Sequence, residues 1–209
     1  MPAGKLKNPR KLALWAVWLY GISMGAELLD HFWNWLPREL RPETTPYDSF
    51  PEDDASLLGA DHHDTYYLYA GLGLLEWVML VSGVASAIIY LIWKYRAATN
   101  ARILDASAMT VSPAMAVGSY FIPIAFFVIP YRAMAGISRA TLGDTSGVGL
   151  WWGCHVGLVL SGIAIGEMTP MAGPGLLDHL YMVGSLITFL ISIWLVLRIT
   201  RAQAALCQN

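Results

Sequence analysis

Nearly continuous apolar stretches alternate along this chain with short polar intervals. Residues 12–29, 66–93, 147–166 and 180–197 each approach or exceed the length, about 20 apolar residues, that carries an α-helix across a bilayer core of roughly 30 Å. The second stretch is long enough to tilt strongly or to project beyond the bilayer. A fifth apolar stretch, 114–130, is bounded by Pro113 and Pro130 and interrupted by Pro123. Proline lacks the backbone donor that a helix interior needs, so this stretch predicts a broken element rather than a straight span. Residues 37–64 contain Pro37, Pro42, Pro46 and Pro51 among many acids, which predicts an irregular acidic loop. Residues 94–113 read as a polar, basic segment following the second span.

Composition sharpens this pattern. Of the 209 residues, 56% are hydrophobic and 13% charged, where a soluble domain carries about a quarter charged residues. The basic residues then settle the path of the proline-rich stretch, because Lys and Arg near span ends gather on the cytoplasmic side. If 114–130 enters and returns on the inner side, every one of the 13 Lys and Arg residues except Arg38 and Arg41 faces inward. If it crosses, the basic residues divide between the two sides. The expectation is therefore an all-α integral membrane bundle forming a single domain. It has four full transmembrane helices, a Pro-broken re-entrant or interfacial segment, an acidic outer loop and both termini cytoplasmic. Gly149, Gly153, Gly157 and Ser161, with Gly21 and Gly25, lie four apart and predict faces where helix backbones approach closely. The net charge of −2 and the lack of a basic tract exclude nucleic acid as a partner, leaving membrane lipids, other membrane subunits or self-association. Cys154 and Cys207 form no disulfide framework or CxxC site.

Three groups of residues are candidates for chemistry. The four-span topology brings His31, His62, His63 and His179 to the outer face, with Glu27, Asp30 and Asp178 nearby. Imidazole with carboxylate suits Zn, Cu or Fe, and ligands from different span ends can close a site. The plainer alternative is a set of solvated polar groups at span ends. Glu76 lies inside the predicted second span, where a carboxylate is costly unless neutral or paired. It is expected to be hydrogen-bonded across helices, with Ser161, Ser185 and Thr188 as candidate partners, or to serve a proton or ion relay. His155, deep in the third of the four spans, is a candidate axial ligand for a haem or a chlorophyll-type pigment, or a neutral hydrogen-bonded core histidine.

The stretch from Trp93 to Trp152 resembles an uncharacterised family of bacterial multi-pass membrane proteins known as domain of unknown function 4328. The resemblance rests on Trp93, Arg96 and Asn100 in W-x-x-R-x-x-x-N, on Pro113, on the segment around Pro123 and Pro130, and on the Trp151–Trp152 pair. It implies a bacterial inner-membrane address and a helical fold, and no reaction. Arg96, Asn100 and Arg132 are expected at the inner surface beside the proline-rich segment, with Asn100 hydrogen-bonding the backbone that Pro123 and Pro130 leave unpaired and Arg132 meeting lipid phosphate or capping the broken helix. No G-x-S-x-G, H-E-x-x-H, P-loop or dinucleotide fingerprint occurs. The function expected is thus non-enzymatic, as an accessory subunit of a membrane complex or a small-ligand binder. The rival readings are a metal-binding protein or enzyme with an outer-face site, and a proton- or ion-coupled transporter using Glu76.

Overall fold

The computed structural model describes residues 5–35, 73–168 and 175–208, and every regular element among them is helical. These are α1 (Arg10–Trp35), α2 (Leu74–Leu104), α3 (Pro113–Gly118), a 3-10 turn (Ser119–Phe121), α4 (Pro123–Phe126), α5 (Ile129–Leu142), α6 (Val148–Met168) and α7 (Leu176–Leu206). The acidic loop 37–64, with His62 and His63, and residues 66–72 of the expected second span lie outside the described residues.

Three helices are long and apolar enough to cross a membrane, over Arg10–Phe32, Leu75–Leu104 and Leu176–Leu206. Their residues are arranged opposite to those of a soluble bundle. Trp18, Phe32, Val84, Ile88, Leu150, Ile163 and Leu190 are exposed, while Ser86, Asn100, Ser185, Thr188, Ser192, Thr200 and Gln203 are buried. Lipid accepts the large side chains at no cost, and the interior takes the groups that can hydrogen-bond. α1 and α2 form the most extensive pair. Ser86 Oγ donates to Ala16 O at 2.9 Å, and Ser23 Oγ donates to Met79 O at 3.2 Å. α7 joins them through Tyr20, whose ring meets Phe189 edge-on at 4.8 Å.

The proline-rich stretch breaks where proline demands it. Ser112 Oγ accepts from Met115 N and starts α3, Pro123 opens α4, and Pro130 sits in the first turn of α5. A helix tolerates proline at its start and disfavours helical backbone just before it. Ile122 is accordingly extended, with φ −114° and ψ 111°. The two halves of the segment, Pro113–Phe121 and Pro123–Leu142, meet at 116°.

Three expectations need correction. Residues 94–113 are not a polar segment outside the bundle, because α2 continues to Leu104 and buries Lys94, Ala97, Ala98, Asn100 and Ala101. Its 31 residues span about 46 Å, well beyond the hydrocarbon core, and α7 overshoots its expected end in the same way. Both overhangs remain helical because they pack on α5, an element the sequence pattern did not reveal. That helix buries Pro130, Ala133, Met134, Ala135, Gly136, Ile137 and Ser138 beneath the bundle. Finally, the glycine stripe of α6 makes no close backbone approach among the described residues, since a Cβ at Gly149, Gly153 or Gly157 would meet none of them within 4 Å, although Gly157 and Ser161 border a groove against α7. α6 instead turns Trp151 and Trp152 to the interior, which sends those glycines to the outer surface.

The close approaches fall at other glycines. Gly147, with φ +83°, precedes α6, and a Cβ there would lie 2.5 Å from the Trp194 ring. Gly147→Ala therefore combines a left-handed backbone with a clash and should cost about 1–3 kcal/mol. Thermal unfolding of the detergent-solubilised protein should show a clear drop in Tm for Gly147→Ala. Gly149→Ala, which adds a methyl group to open space, should leave Tm unchanged or slightly raised.

Candidate functional site

The inner half of α2 carries a buried stripe of Tyr90, Lys94, Ala97 and Ala101, at helical spacing, with Trp93 and Ala98 beside it. The small alanines let neighbouring helices approach, and Lys94 is enclosed by them with no exposed surface. Its ammonium donates to Tyr120 Oη at 2.7 Å and to the Pro130 carbonyl at 3.4 Å. Three rings surround it, with centroids 4.6 Å away for Tyr120, 5.6 Å for Trp151 and 5.9 Å for Tyr90. Desolvated cation–π contacts are each worth up to about 2 kcal/mol, so the rings offset part of the cost of burying the cation. No carboxylate among the described residues pairs with it. The ion pair found among them lies elsewhere, at 3.0 Å between Arg198 and Asp144.

The proline-broken segment supplies half of this cage. Phe126 packs on Trp152 at 5.5 Å, and Trp152 Nε1 donates to the Phe127 carbonyl at 3.0 Å, which pins α4 to α6. That carbonyl belongs to the stretch where Pro130 and the break at Val128 interrupt the helical ladder.

Above the cage, within the bundle, lies a cavity of about 290 Å³. Its walls are mostly apolar, and α1, α2, α6 and α7 all contribute. Its inner end is formed by Tyr90, Tyr120, Phe126 and the Trp151–Trp152 pair. Its polar groups have specific states. Ser86 and Ser192 spend their hydroxyl protons on backbone carbonyls. Tyr120 Oη accepts from Lys94, so its own proton is free to be donated. The Tyr90 hydroxyl is buried without a hydrogen-bond partner among the described residues. His155 Nδ1 lies 2.9 Å from the Trp151 carbonyl and must donate to it, which leaves Nε2 of the neutral ring as an acceptor at the cavity wall.

This places His155 as a hydrogen-bonded residue in the cavity wall. The expected outer-face metal set is assembled only in part. His31 Nε2 and His179 Nδ1 meet at 2.8 Å, linking the end of α1 to the start of α7. Two imidazole nitrogens on one tetrahedral zinc, each about 2.0–2.1 Å from the metal, would be roughly 3.4 Å apart, so this contact is a shared proton. Glu27 is half-buried one turn before His31. Asp178 is committed to the cap of α7, accepting from Gly175 N at 2.7 Å, and Asp30 is likewise engaged. Among the described residues no three His, Cys, Asp or Glu side chains gather around a metal position.

Among the described residues, Glu76 occupies the first turn of α2. Its Oε2 is buried without a hydrogen-bond partner among the described residues. The expected cross-helix bonds from Ser161 and Thr188 are absent, since each hydroxyl donates to a carbonyl of its own helix. A helix N-terminus nonetheless favours a carboxylate, which gives Glu76 a local rationale.

The motif residues also find different partners from those expected. Asn100 does not support the proline segment. It donates to the Lys7 carbonyl at 2.8 Å and to Gln203 Oε1 at 3.1 Å, and accepts from Lys7 N at 3.1 Å. Gln203 passes the connection to Ala97 O and Thr141 Oγ1, at 3.1 and 3.0 Å. Trp93 Nε1 donates to Thr200 Oγ1 at 3.0 Å, and Arg96 donates to Asn8 O at 3.3 Å. The motif thus ties the N-terminal segment, α2, α5 and α7 together directly beneath Lys94, while its prolines and paired tryptophans build the cage. This region falls inside residues 64–201, which match the model of a domain of unknown function, DUF4328. The chain belongs to the DUF4328 family. No curated protein and no solved structure matches it.

Lys94 is the residue that the sequence reading missed in this family member, where it was counted among inward-facing surface cations. The available signal was its phase: Lys94 shares a stripe with Tyr90, Ala97 and Ala101, whereas Arg102 falls off it and is exposed.

Asn100→Ala should remove three buried or half-buried hydrogen bonds and leave backbone groups of Lys7 unsatisfied. The expected loss is about 1–3 kcal/mol, seen as a lower Tm. Limited proteolysis should cut the segment before α1 faster than in the parent protein, while Arg102→Ala leaves both measurements unchanged.

Proposed function

We propose that this DUF4328 protein is a non-enzymatic, four-span protein of the bacterial inner membrane that binds a small amphiphilic molecule inside its bundle. α1, α2, α6 and α7 are the spans, and α3–α5 enter and return on the cytoplasmic side. The 21-residue α6 is about 32 Å long, enough to cross. The contacts Arg96–Asn8, Asn100–Lys7, Gln203–Thr141 and Arg198–Asp144 gather the basic ends of the chain at one end of the bundle. His31 and His179 lie at the opposite helix ends. That separation supports cytoplasmic termini, as cationic span ends favour the inner side.

The observation that carries the binding function is the cavity over a caged, unpaired lysine. An ionisable residue held within a membrane bundle is costly to maintain, and a convergent set of polar groups at one end of an apolar cavity is how small-ligand sites are built. The outer-face metal reading has two described ligands, and the ion-coupled reading rests on an unpartnered Glu76, so both carry less than the cavity. The accessory-subunit reading draws on the outward glycine face of α6, which leaves room for a further helix or a second copy.

Native mass spectrometry of protein purified in mild detergent tests the binding function. A single small amphiphile per chain is expected to survive on the parent protein. Val17→Trp, which fills the cavity from α1, should abolish that adduct while the protein still unfolds cooperatively. Identical adducts on both proteins would place the molecule on the outer surface and defeat this function.

A further inference from the structure

Building on the cavity reading, we infer that the ligand is a single-chain amphiphile with a carboxylate head, held at the inner end of the cavity by Tyr120 under the charge of Lys94. The ammonium has three N–H groups, and its two protein acceptors, the Tyr120 hydroxyl and the Pro130 carbonyl, are both neutral. The surrounding rings lower the energy of the cation without neutralising it. What the cage lacks among the described residues is an anion.

The route for supplying that anion is specific. Lys94 itself lies behind the cavity wall, and Tyr120 belongs to the wall. With Lys94 as an ammonium, Tyr120 Oη accepts from it, its own proton is left for the cavity or the neighbouring Tyr90 hydroxyl, and the adjoining cation makes that proton a stronger donor. A carboxylate oxygen in the cavity accepts it, which places the anion one hydroxyl away from the cation. The buried Tyr90 hydroxyl lies against that of Tyr120 beside the same ammonium, so the two phenols form one polar end to the cavity. An alcohol head satisfies the Tyr120 proton but leaves the charge unbalanced. An amine head adds a second cation and is disfavoured.

The cavity's shape fits one short chain. Its α1 wall runs from Ala16 to Ser23, about 10 Å along the helix axis. The residues beyond the polar end, among them Val17, Gly83 and Val159, line a path for methylenes. About 290 Å³ does not hold the two chains and large head of a phospholipid.

The test uses full-length protein in lipid nanodiscs, titrated with decanoic acid carrying a ¹³C-labelled carboxyl group, with decanol and decylamine as competitors. A protein-bound carboxyl resonance should saturate, and decanoate should bind about 30-fold more tightly than decanol, the few-hundred-fold attraction of opposite charges roughly 5 Å apart at an effective dielectric near 20 being partly offset by desolvation of the carboxylate. Tyr120→Phe keeps the ring and removes the proton, so it should weaken decanoate about tenfold and decanol, which loses a neutral hydrogen bond, by only about threefold. Lys94→Met should give the same selective loss, and the milder Tyr120→Phe keeps the test valid if Lys94→Met does not fold. Equal affinity for acid and alcohol, or unchanged acid affinity in Tyr120→Phe, overturns the carboxylate assignment and leaves the binding cavity standing. No saturable binding of either probe, with Val17→Trp indistinguishable from the parent, overturns both.

Discussion

The burial of one ammonium group, that of Lys94, organises this protein. A lysine at this depth cannot reach water, so the chain must surround it with acceptors and polarisable faces. A straight transmembrane helix has no free carbonyls to offer, because each is already bonded within the helix. The proline-broken segment solves this by turning beneath the bundle, where it delivers the Tyr120 hydroxyl and the Pro130 carbonyl to the same nitrogen. Trp151 and Trp152 close the other side, and Trp152 also satisfies the Phe127 carbonyl exposed by the break. The break, the tryptophan pair and the lysine are therefore parts of one electrostatic arrangement.

Beneath it lies a layer built from directional bonds rather than apolar contact. Asn100 and Gln203 join four separate parts of the chain, and Trp93 bonds to Thr200. Apolar surface drives helices together weakly when lipid is equally apolar, so small residues and hydrogen bonds supply the register. This layer braces the floor of the cavity, since α2 is anchored at Asn100, within two turns of Lys94, and α7 at Thr200 and Gln203, two to three turns beyond Ser192. Among the described residues, the outer half is tied by the Ser23–Met79 and His31–His179 contacts.

Several site assignments failed for a common reason. The glycine stripe of α6 has the spacing of a packing face, yet spacing reports which residues share a face and not which way that face turns. The large Trp151 and Trp152 side chains decided the orientation of α6 by filling the space over Lys94. Glu76 stands in the first described turn of α2, where the helix N-terminus itself favours a carboxylate. Asn100 was assigned to the nearest backbone expected to lack donors, and the N-terminal segment, distant in sequence, took it.

The amino-acid sequence alone determined the class of structure: apolar runs of bilayer length make helices in lipid, and Pro113, Pro123 and Pro130 break the fifth apolar stretch wherever it lies. These are local consequences of hydropathy and backbone chemistry. The motif from Trp93 to Trp152 likewise identified the family before any coordinates. What only the tertiary structure decided was which polar groups meet. α5 packs under the bundle, α2 continues as helix past its apolar run, and Lys94 passes from an apparent surface cation to the centre of a cage. That outcome depends on elements separated by tens of residues arriving at one nitrogen, and no periodicity along a single helix contains that information.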